Sequence, residues 1–270
     1  MLKTRFYTIL VLLPLFIAAI FYFPTKVWAL LLALLMLVGA WEWGALAGWH
    51  RVQRMVYAGA MVLGAGGLWV FGCGDAPDAA RVAAVSFGIS LLFWLLVVPL
   101  WLAKGWQVRS SLLMAATGAI VLLPTWLALV RLHAQPNVLL ALMAIVWISD
   151  TAAYLCGRRW GRHKLAPAIS PGKTWEGVLG AAVAVTVYYA CLAASGWTAY
   201  AVLQGFSGCA VFLLLTALGI EGDLFESWVK RSAGVKDSGT LFPGHGGALD
   251  RIDALTATMP AAGLLITLMA

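Results

Sequence analysis

Long apolar runs alternate with short polar segments along nearly the whole chain. A membrane-spanning helix needs roughly 20 mostly apolar residues, and nine runs approach or reach that length. They cover residues 6–23, 27–47, 55–72, 82–103, 111–131, 137–156, 177–195, 199–219 and 254–270. Because the third run is rich in glycine and the ninth is short, the pattern also allows eight spans. We predict an all-α polytopic membrane protein with about nine transmembrane helices, forming one integral-membrane domain over residues 1–270.

The first apolar run resembles a secretory leader in one respect. Lys3 and Arg5 precede it, as basic residues precede the apolar core of a signal peptide. The run continues to Phe23, however, and no small-x-small cleavage site follows it. We therefore expect it to be a retained first helix.

The composition agrees with a membrane protein. Of the 270 residues, 63% are hydrophobic and only 11% are charged, whereas soluble domains carry about 25% charged residues. Fourteen tryptophans suit a chain with two membrane–water interfaces. The four cysteines contain no C-x-x-C pair, so we expect ordinary packing rather than a disulfide framework or a zinc site.

The basic residues indicate an orientation. The net charge is +7, but the charges lie between apolar runs, which favours anionic lipids or substrates over nucleic acid as partners. With nine spans and a cytoplasmic N-terminus, 15 of the 18 basic residues face the cytoplasm, and only Lys26, Arg81 and Arg131 lie outside. The positive-inside rule supports this arrangement. We expect a bacterial-type inner membrane protein.

Two polar segments, 149–176 and 221–253, interrupt the apolar pattern. Under the predicted orientation both face the cytoplasm, so we expect them to form the catalytic face. They contain eight of the eleven acidic residues: Asp150, Glu176, Glu221, Asp223, Glu226, Asp237, Asp250 and Asp253. Asp150 lies near the end of the sixth run, where an ionisable side chain indicates function. Glu42, in the second run, meets the same criterion, but nothing else points to it, and we interpret it as structural.

The second polar segment carries carboxylates at helical spacing. Asp223, Glu226, Ser227 and Lys230 share one helix face, and Asp250 shares one with Asp253. Carboxylates at membrane depth are costly unless they are paired or bound to a cation. Oxygen ligands favour Mg²⁺, which usually binds one or two carboxylates together with substrate phosphates. The charge pattern alone supports two interpretations of this segment equally: a metal–phosphate site and a solvated, salt-bridged loop.

Glycines surround His245 in the same segment. Gly244 and Gly246 flank it, and such loops let backbone N–H groups approach phosphate oxygens. The glycines and the nearby Asp250 leave a functional and a structural role for His245 equally open.

The first polar segment contains Ser170-Pro-Gly-Lys-Thr-Trp-Glu-Gly177. The Gly-Lys-Thr is not a P-loop, because residue 167 is proline where that motif needs glycine, and no βαβ unit surrounds it. Lys173 can still meet a phosphate, and Ser170 and Thr174 can offer hydroxyls. A helix that begins near Trp175 adds free N–H groups. The alternative is a helix cap followed by an interfacial tryptophan.

Residues 227–253 closely resemble the signature of the phosphatidate cytidylyltransferases, also called CDP-diacylglycerol synthases. The matching residues are Ser227, Lys230, Arg231, Lys236, Asp237, Pro243, His245, Gly246, Gly247, Asp250, Arg251 and Asp253. Ala248 departs from the family, which usually has a larger aliphatic residue there. The Asp150-x-x-Ala-Tyr154 and Ser170–Trp175 segments are also similar to the family, whereas the N-terminal half matches only as apolar spans.

The resemblance implies that phosphatidate attacks the α-phosphorus of CTP, giving CDP-diacylglycerol and pyrophosphate. It implies Mg²⁺ on Asp223 and Asp250, and it leaves open a second, monovalent cation and a homodimer. The implied catalytic residues are Asp223, Lys230, Lys236, His245, Asp250 and Arg251. The implied substrate-binding residues are Asp150, Ser170, Lys173, Thr174, Glu176, Ser227, Arg231 and Asp253. Membrane lipids surround the protein, and no nucleic-acid partner is expected.

Three other functions fit parts of the pattern. A CTP-dependent lipid or polyprenol kinase would use similar carboxylates but release CDP. A CDP-alcohol phosphotransferase needs an Asp-Gly-x-x-Ala-Arg motif, which is absent from the sequence. A transporter of anions predicts repeated broken helices, which the sequence does not show. The sequence does not fix the acyl-chain preference or the choice between CTP and dCTP.

Overall fold

A computed structural model describes residues 13–73, 78–108, 110–197, 203–241 and 246–269. These residues form nine helices and one small β-hairpin, which confirms the predicted all-α class and adds one element to it. The helices are α1 (Leu13–Tyr22), α2 (Thr25–Leu46), α3 (Arg51–Gly72), α4 (Ala79–Lys104), α5 (Ser111–Leu132), α6 (Pro136–Trp160), α7 (Trp175–Ala194), α8 (Gly205–Ser232) and α9 (Leu249–Thr267). The strands are β1 (Lys164–Ala166) and β2 (Ser170–Thr174).

Seven of these helices, α2 to α8, are long and apolar enough to cross a membrane. Helix α1 has only ten described residues, and α9 carries Asp250, Arg251 and Asp253 in its first turns. The chain is therefore a multi-pass helical membrane protein, while nine crossings and a cytoplasmic N-terminus stay predictions.

The two polar segments meet at one end of the bundle, as the alternation of spans predicts. Lys173, in the hairpin, contacts Asp223 in α8, and Lys230 at the end of α8 contacts Asp250 at the start of α9. At the opposite end, Arg131 donates a hydrogen bond to the carbonyl of Gly72. The segments after α6 and α8 therefore lie at a charged end of the bundle, and the ends of α3 and α5 lie at the other end.

Helix α9 lies in the interior of the bundle. It packs against α4, α5 and α8, and it also contacts α2 and α6. Residues 254–263 are all buried, so the helix is enclosed by protein along most of its length. Its N-terminal turn consequently places Asp250 and Asp253 among the ends of several neighbouring helices.

A glycine allows α8 to approach α9 closely. A Cβ atom on Gly222 would lie 2.6 Å from the backbone oxygen of Asp253. Small residues at such crossings let two membrane helices come into backbone contact. Gly222 therefore sets the distance between the carboxylates of α8 and those of α9.

An aromatic cluster fixes α8 against α4. Phe225 is 2% exposed, and its ring meets Phe93, Trp94 and Trp101 edge-on at 5.7, 5.6 and 5.3 Å between centroids. Edge-to-face contacts of this kind are favourable for aromatic rings. Residues Phe93–Val97 form a π-helical turn inside α4, and this turn carries two of the rings, Phe93 and Trp94.

Candidate functional site

Three charged side chains lie buried and in contact with one another at the charged end of the bundle. Lys230 Nζ lies 2.7 Å from Glu226 Oε2 and 2.6 Å from Asp250 Oδ1. Glu226 and Lys230 are 6% and 8% exposed. Buried charges persist only when they are paired, so this lysine and its two carboxylates hold the end of α8 to the start of α9.

The second oxygen of Asp250 is fixed by the loop that precedes α9. Asp250 Oδ2 accepts hydrogen bonds from the backbone N–H groups of Ser238 and Gly247, at 2.9 and 2.8 Å. The Ser238 hydroxyl lies 2.9 Å from the same oxygen. Gly246 has a φ of +85°, a conformation that favours glycine. Ser238 and Gly247 thus hold the Asp250 carboxylate from two sides.

Glu42 reaches this loop from the end of α2. It is 5% exposed, and it accepts hydrogen bonds from Ala248 N and Leu249 N, both at 3.0 Å. The Ser238 hydroxyl lies 2.9 Å from Glu42 Oε2. These contacts agree with the structural role expected for Glu42, and they also place it beside Asp250.

A second ion pair joins the hairpin to α8. Lys173 Nζ lies 2.7 Å from Asp223 Oδ2 and donates to the Ile220 carbonyl at 3.2 Å. Ser227 Oγ donates to Asp223 Oδ1 at 3.3 Å. Asp223, Ser227 and Lys230 thus lie along one helix, as their spacing predicts, and a residue of the first polar segment meets them.

More carboxylates surround this ion pair. Asp150, in the second half of α6, repels the carboxylates of Asp223 and Asp253, and Glu226 also repels Asp253. The positive charges of Lys173 and Arg251 act on Asp150 in the opposite sense to these carboxylates. Carboxylates from three helices and cations from two segments therefore converge on one region.

One buried acceptor in this region has no partner. Glu226 Oε1 is buried and has no hydrogen-bond partner among the described residues. Glu226 and Asp253 line a small cavity whose other walls are mostly aromatic and aliphatic. An unpaired buried acceptor among like charges is costly and suits a bound positive ion. Within the described ranges, no three His, Cys, Asp or Glu side chains are grouped closely enough to hold a metal ion by themselves.

The hairpin residues have separate places. Thr174 is 4% exposed and its hydroxyl accepts from Gly177 N at 3.1 Å, so it caps α7, which begins at Trp175 as expected. Glu176 accepts from the backbone N–H of His163, and its Oε1 lies 2.7 Å from His163 Nδ1. Ser170 opens β2 and is half-buried. The structure thus gives Thr174 and Glu176 local contacts, while their substrate roles stay predictions.

The remaining predicted cations are exposed. Arg231, Lys236 and Arg251 all face solvent, and Arg231 donates to the Val235 carbonyl at 3.0 Å. They lie at the charged end of the bundle and are free to meet an anionic substrate. His245 lies outside the described residues, so its role stays a prediction.

Sequence reasoning did not identify two residues that shape the site. Ser238 touches both Asp250 and Glu42, and His163 anchors Glu176. Ser238 lies beside the Lys236-Asp237 pair of the signature, which is the one signal that singles it out. Its partner Glu42 is 196 residues away, so no local pattern could link the two.

The fold and the site together define a class of protein: a multi-pass helical membrane protein with a cluster of paired carboxylates and lysines at one end of its bundle. The sequence profile of the cytidylyltransferase family matches residues 3–269. The chain belongs to this family.

Relatives with curated names are similar over the full length. The phosphatidate cytidylyltransferase of Pseudomonas aeruginosa is 37% identical over 98% of this chain and 97% of its own. That of Haemophilus influenzae is 34% identical, covering 96% of each chain. The Brucella melitensis phosphatidate cytidylyltransferase is 50% identical over 46% of this chain and 43% of its own. The resemblance first noticed in the C-terminal half therefore extends along the whole chain.

Proposed function

We propose that this protein transfers the cytidylyl group of CTP to phosphatidate, forming CDP-diacylglycerol and pyrophosphate. The observation that carries the proposal is the contact between the two polar segments, in which Lys173 meets Asp223 in a chain of the cytidylyltransferase family. Full-length relatives named phosphatidate cytidylyltransferase supply the identity of the two substrates.

Both substrates are anionic, so the residues must neutralise phosphate charge and hold two phosphates in line. The described charged end offers Lys173, Lys230 and Arg251 close to the carboxylates, and Arg231 and Lys236 nearby. Preorganised cations aimed at developing phosphate charge are an effective form of catalysis. Phosphatidate already carries a nucleophilic phosphate oxygen, so the reaction does not require a dedicated general base.

The bond changes are simple. A phosphate oxygen of phosphatidate forms a bond to the α-phosphorus of CTP, and the bond between that phosphorus and the bridging oxygen of the β-phosphate breaks. Pyrophosphate leaves with the electron pair. We assign Lys173, Ser170 and Thr174 to the nucleotide phosphates, with Glu176 positioned at the same helix start.

We assign Asp223 and Asp250 as the ligands of Mg²⁺. When bound, the ion would neutralise phosphate charge and polarise the α-phosphate. Each of these carboxylates is paired with a lysine in the structure, Asp223 with Lys173 and Asp250 with Lys230. With Asp223 and Asp250 holding the ion, Lys173 and Lys230 would be available to neutralise substrate phosphates. The free Glu226 Oε1 adds an acceptor beside them.

The membrane setting suits this reaction. CTP is a cytoplasmic nucleotide, and the phosphate of phosphatidate lies at the membrane surface. We therefore propose that the charged end faces the cytoplasm and that the enzyme resides in the bacterial inner membrane. Cytoplasmic segments rich in lysine and arginine support this orientation.

The direct test uses purified protein in detergent or lipid with CTP, phosphatidate and Mg²⁺. Appearance of a CMP-linked lipid is expected, and omitting phosphatidate should abolish it. A phosphorylated lipid accompanied by CDP would instead assign the protein to the CTP-dependent lipid kinases.

A further inference from the structure

Glu42 is a buried carboxylate without a cationic partner. It lies in α2 between Trp41 and Trp43, and no Lys, Arg or His of the described ranges lies within ion-pair distance of it. A charged group in such a place is costly unless its oxygens are satisfied. Both of its oxygens are satisfied by the start of α9, through Ala248 N and Leu249 N. The N-terminus of a helix is where a carboxylate is stabilised by free N–H groups and by the helix dipole.

Two glycines that precede α9, Gly239 and Gly247, lie against this carboxylate. A Cβ on Gly239 would lie 2.3 Å from Glu42 Oε1, and one on Gly247 would lie 2.4 Å from the same atom. Neither glycine has a positive φ. Space for the Glu42 carboxylate, rather than backbone conformation, therefore requires glycine at both positions.

Ser238 links Glu42 to Asp250. Its hydroxyl oxygen lies 2.9 Å from Glu42 Oε2 and 2.9 Å from Asp250 Oδ2. A serine hydroxyl has one proton, so it can donate to only one of the two carboxylates at a time. Each carboxylate keeps two backbone N–H donors whichever way the hydroxyl turns. The two carboxylates are thus coupled through a single side chain.

We propose that Glu42 is a positioning residue for the reaction: it caps α9 and, through Ser238, sets the place of the Asp250 carboxylate at which the metal and phosphate chemistry occurs. The inference rests on the proposed function for its catalytic meaning. Glu42 itself touches no substrate. Its loss should change how well Asp250 serves the metal, while Lys173 continues to hold the nucleotide.

The first test compares Glu42→Gln with Ser238→Ala in the full-length protein. The amide keeps the size of Glu42 but loses its charge and turns an N–H₂ group toward N–H donors. Changes to groups that orient a metal ligand typically cost about 10- to 100-fold in activity or metal affinity. We expect both variants to lower kcat and to raise the Mg²⁺ concentration needed for half-maximal activity, with the KM for CTP within about twofold of wild type, since Lys173 and the hairpin are untouched.

A readout that does not depend on turnover accompanies it. Ligand binding to the folded state raises the unfolding temperature, and at a given ligand concentration tighter binding raises it more. Mg²⁺ added with CTP should therefore stabilise the wild type more than Glu42→Gln or Ser238→Ala. If the wild type is stabilised more than both variants but makes no lipid product, the proposed function fails while the positioning role stands.

The second test uses the steric relation between Glu42 and Gly239. Gly239→Ala alone should displace the carboxylate and reproduce the kinetic defect of Glu42→Gln. In a Glu42→Ala background the same substitution should add no further loss, because the colliding atoms are gone. Gly66→Ala is the control, because no heavy atom lies within 4 Å of a Cβ there.

Three results would overturn the proposal. One is that both Glu42→Gln and Ser238→Ala have the same kcat and need the same Mg²⁺ concentration as the wild type. Another is a lower unfolding temperature with kinetics like wild type, which would make Glu42 structural only. The third is an equal loss from Gly239→Ala with and without Glu42. If Glu42→Gln fails to fold, Ser238→Ala decides alone, since it removes only the link between the carboxylates.

Discussion

Lys173 Nζ lies 2.7 Å from Asp223 Oδ2, which joins the β-hairpin after α6 to the start of the second polar segment. The two residues are 50 positions apart in the sequence. The local pattern predicts that Lys173 can meet a phosphate, and the family resemblance implies that Asp223 holds Mg²⁺. Their contact means that the carboxylate proposed for the metal and the lysine proposed for the nucleotide are each other's partner before substrate arrives.

Replacing the carboxylates should remove activity without unfolding the protein. Asp223→Asn and Asp250→Asn keep the side-chain shape but lose the charge of a metal ligand. We expect each to lower kcat by about 100-fold or more, comparable to losing a preorganised group that stabilises the transition state. Chelation of divalent ions should abolish wild-type activity, and Mg²⁺ should restore it.

Asp78→Asn is the matched control for these carboxylates. Asp78 is an exposed aspartate near the end of the bundle away from the charged site. Its variant should retain wild-type kcat. Near-normal turnover of both Asp223→Asn and Asp250→Asn at ordinary Mg²⁺ would remove these residues from the metal site.

Removing Lys173 should affect CTP more than phosphatidate. Hydrogen bonds to charged groups contribute about 1.5–3 kcal/mol, so Lys173→Ala is expected to raise the KM for CTP roughly 10-fold or more. The KM for phosphatidate should change much less. Steady-state kinetics with each substrate varied in turn measures both values, with Lys26→Ala at an exposed position as control. An unchanged KM for CTP would contradict the assignment of Lys173.

Adding one methyl group at Gly222 should disturb the contact between α8 and α9. The Cβ of Gly222→Ala would collide with the Asp253 backbone at 2.6 Å, and overpacking typically costs about 1–3 kcal/mol. Both the unfolding temperature in detergent and kcat should fall. Gly66→Ala, with open space around it, should leave both unchanged or raise stability, because alanine favours helices by about 1 kcal/mol. Equal behaviour of the two variants would show that the close crossing is unimportant.

The orientation can be tested with single cysteines in a background lacking the four native ones. Arg162→Cys lies just after α6, at the charged end, and Arg81→Cys lies early in α4, at the other end. Because the charged end is expected to face the cytoplasm, a membrane-impermeant thiol reagent added to intact cells should label residue 81 and spare residue 162. Labelling of residue 162 alone would invert the topology.

The apolar pattern predicted most of the helices because membrane helices must be long and apolar. The predicted run 111–131 corresponds to α5, and 137–156 corresponds to the apolar part of α6. The run 199–219 underestimates α8, which ends at Ser232, because its last turns are charged. The spacing of Asp223, Glu226 and Lys230 nevertheless predicted that those turns are helical.

Two features could not be read from local sequence. The hairpin was not predicted, because its strands are only three and five residues long and contain no alternating apolar pattern. The role of Glu42 depends on partners 196 to 207 residues away. Because Glu42 lies in an apolar run, its carboxylate must have hydrogen-bonding or ionic partners. Only the fold shows that backbone N–H groups at the start of α9 are these partners.

One measurement tests the central claim most directly. It uses CTP with different labels on its α- and γ-phosphates and follows where each label goes. The purified protein is incubated with this CTP, phosphatidate and Mg²⁺, and the lipid and aqueous products are separated. Cytidylyl transfer predicts that the α-label enters the lipid and the γ-label appears in pyrophosphate, in equal amounts. Transfer of the γ-label to the lipid, with release of CDP, would contradict the account and identify a kinase.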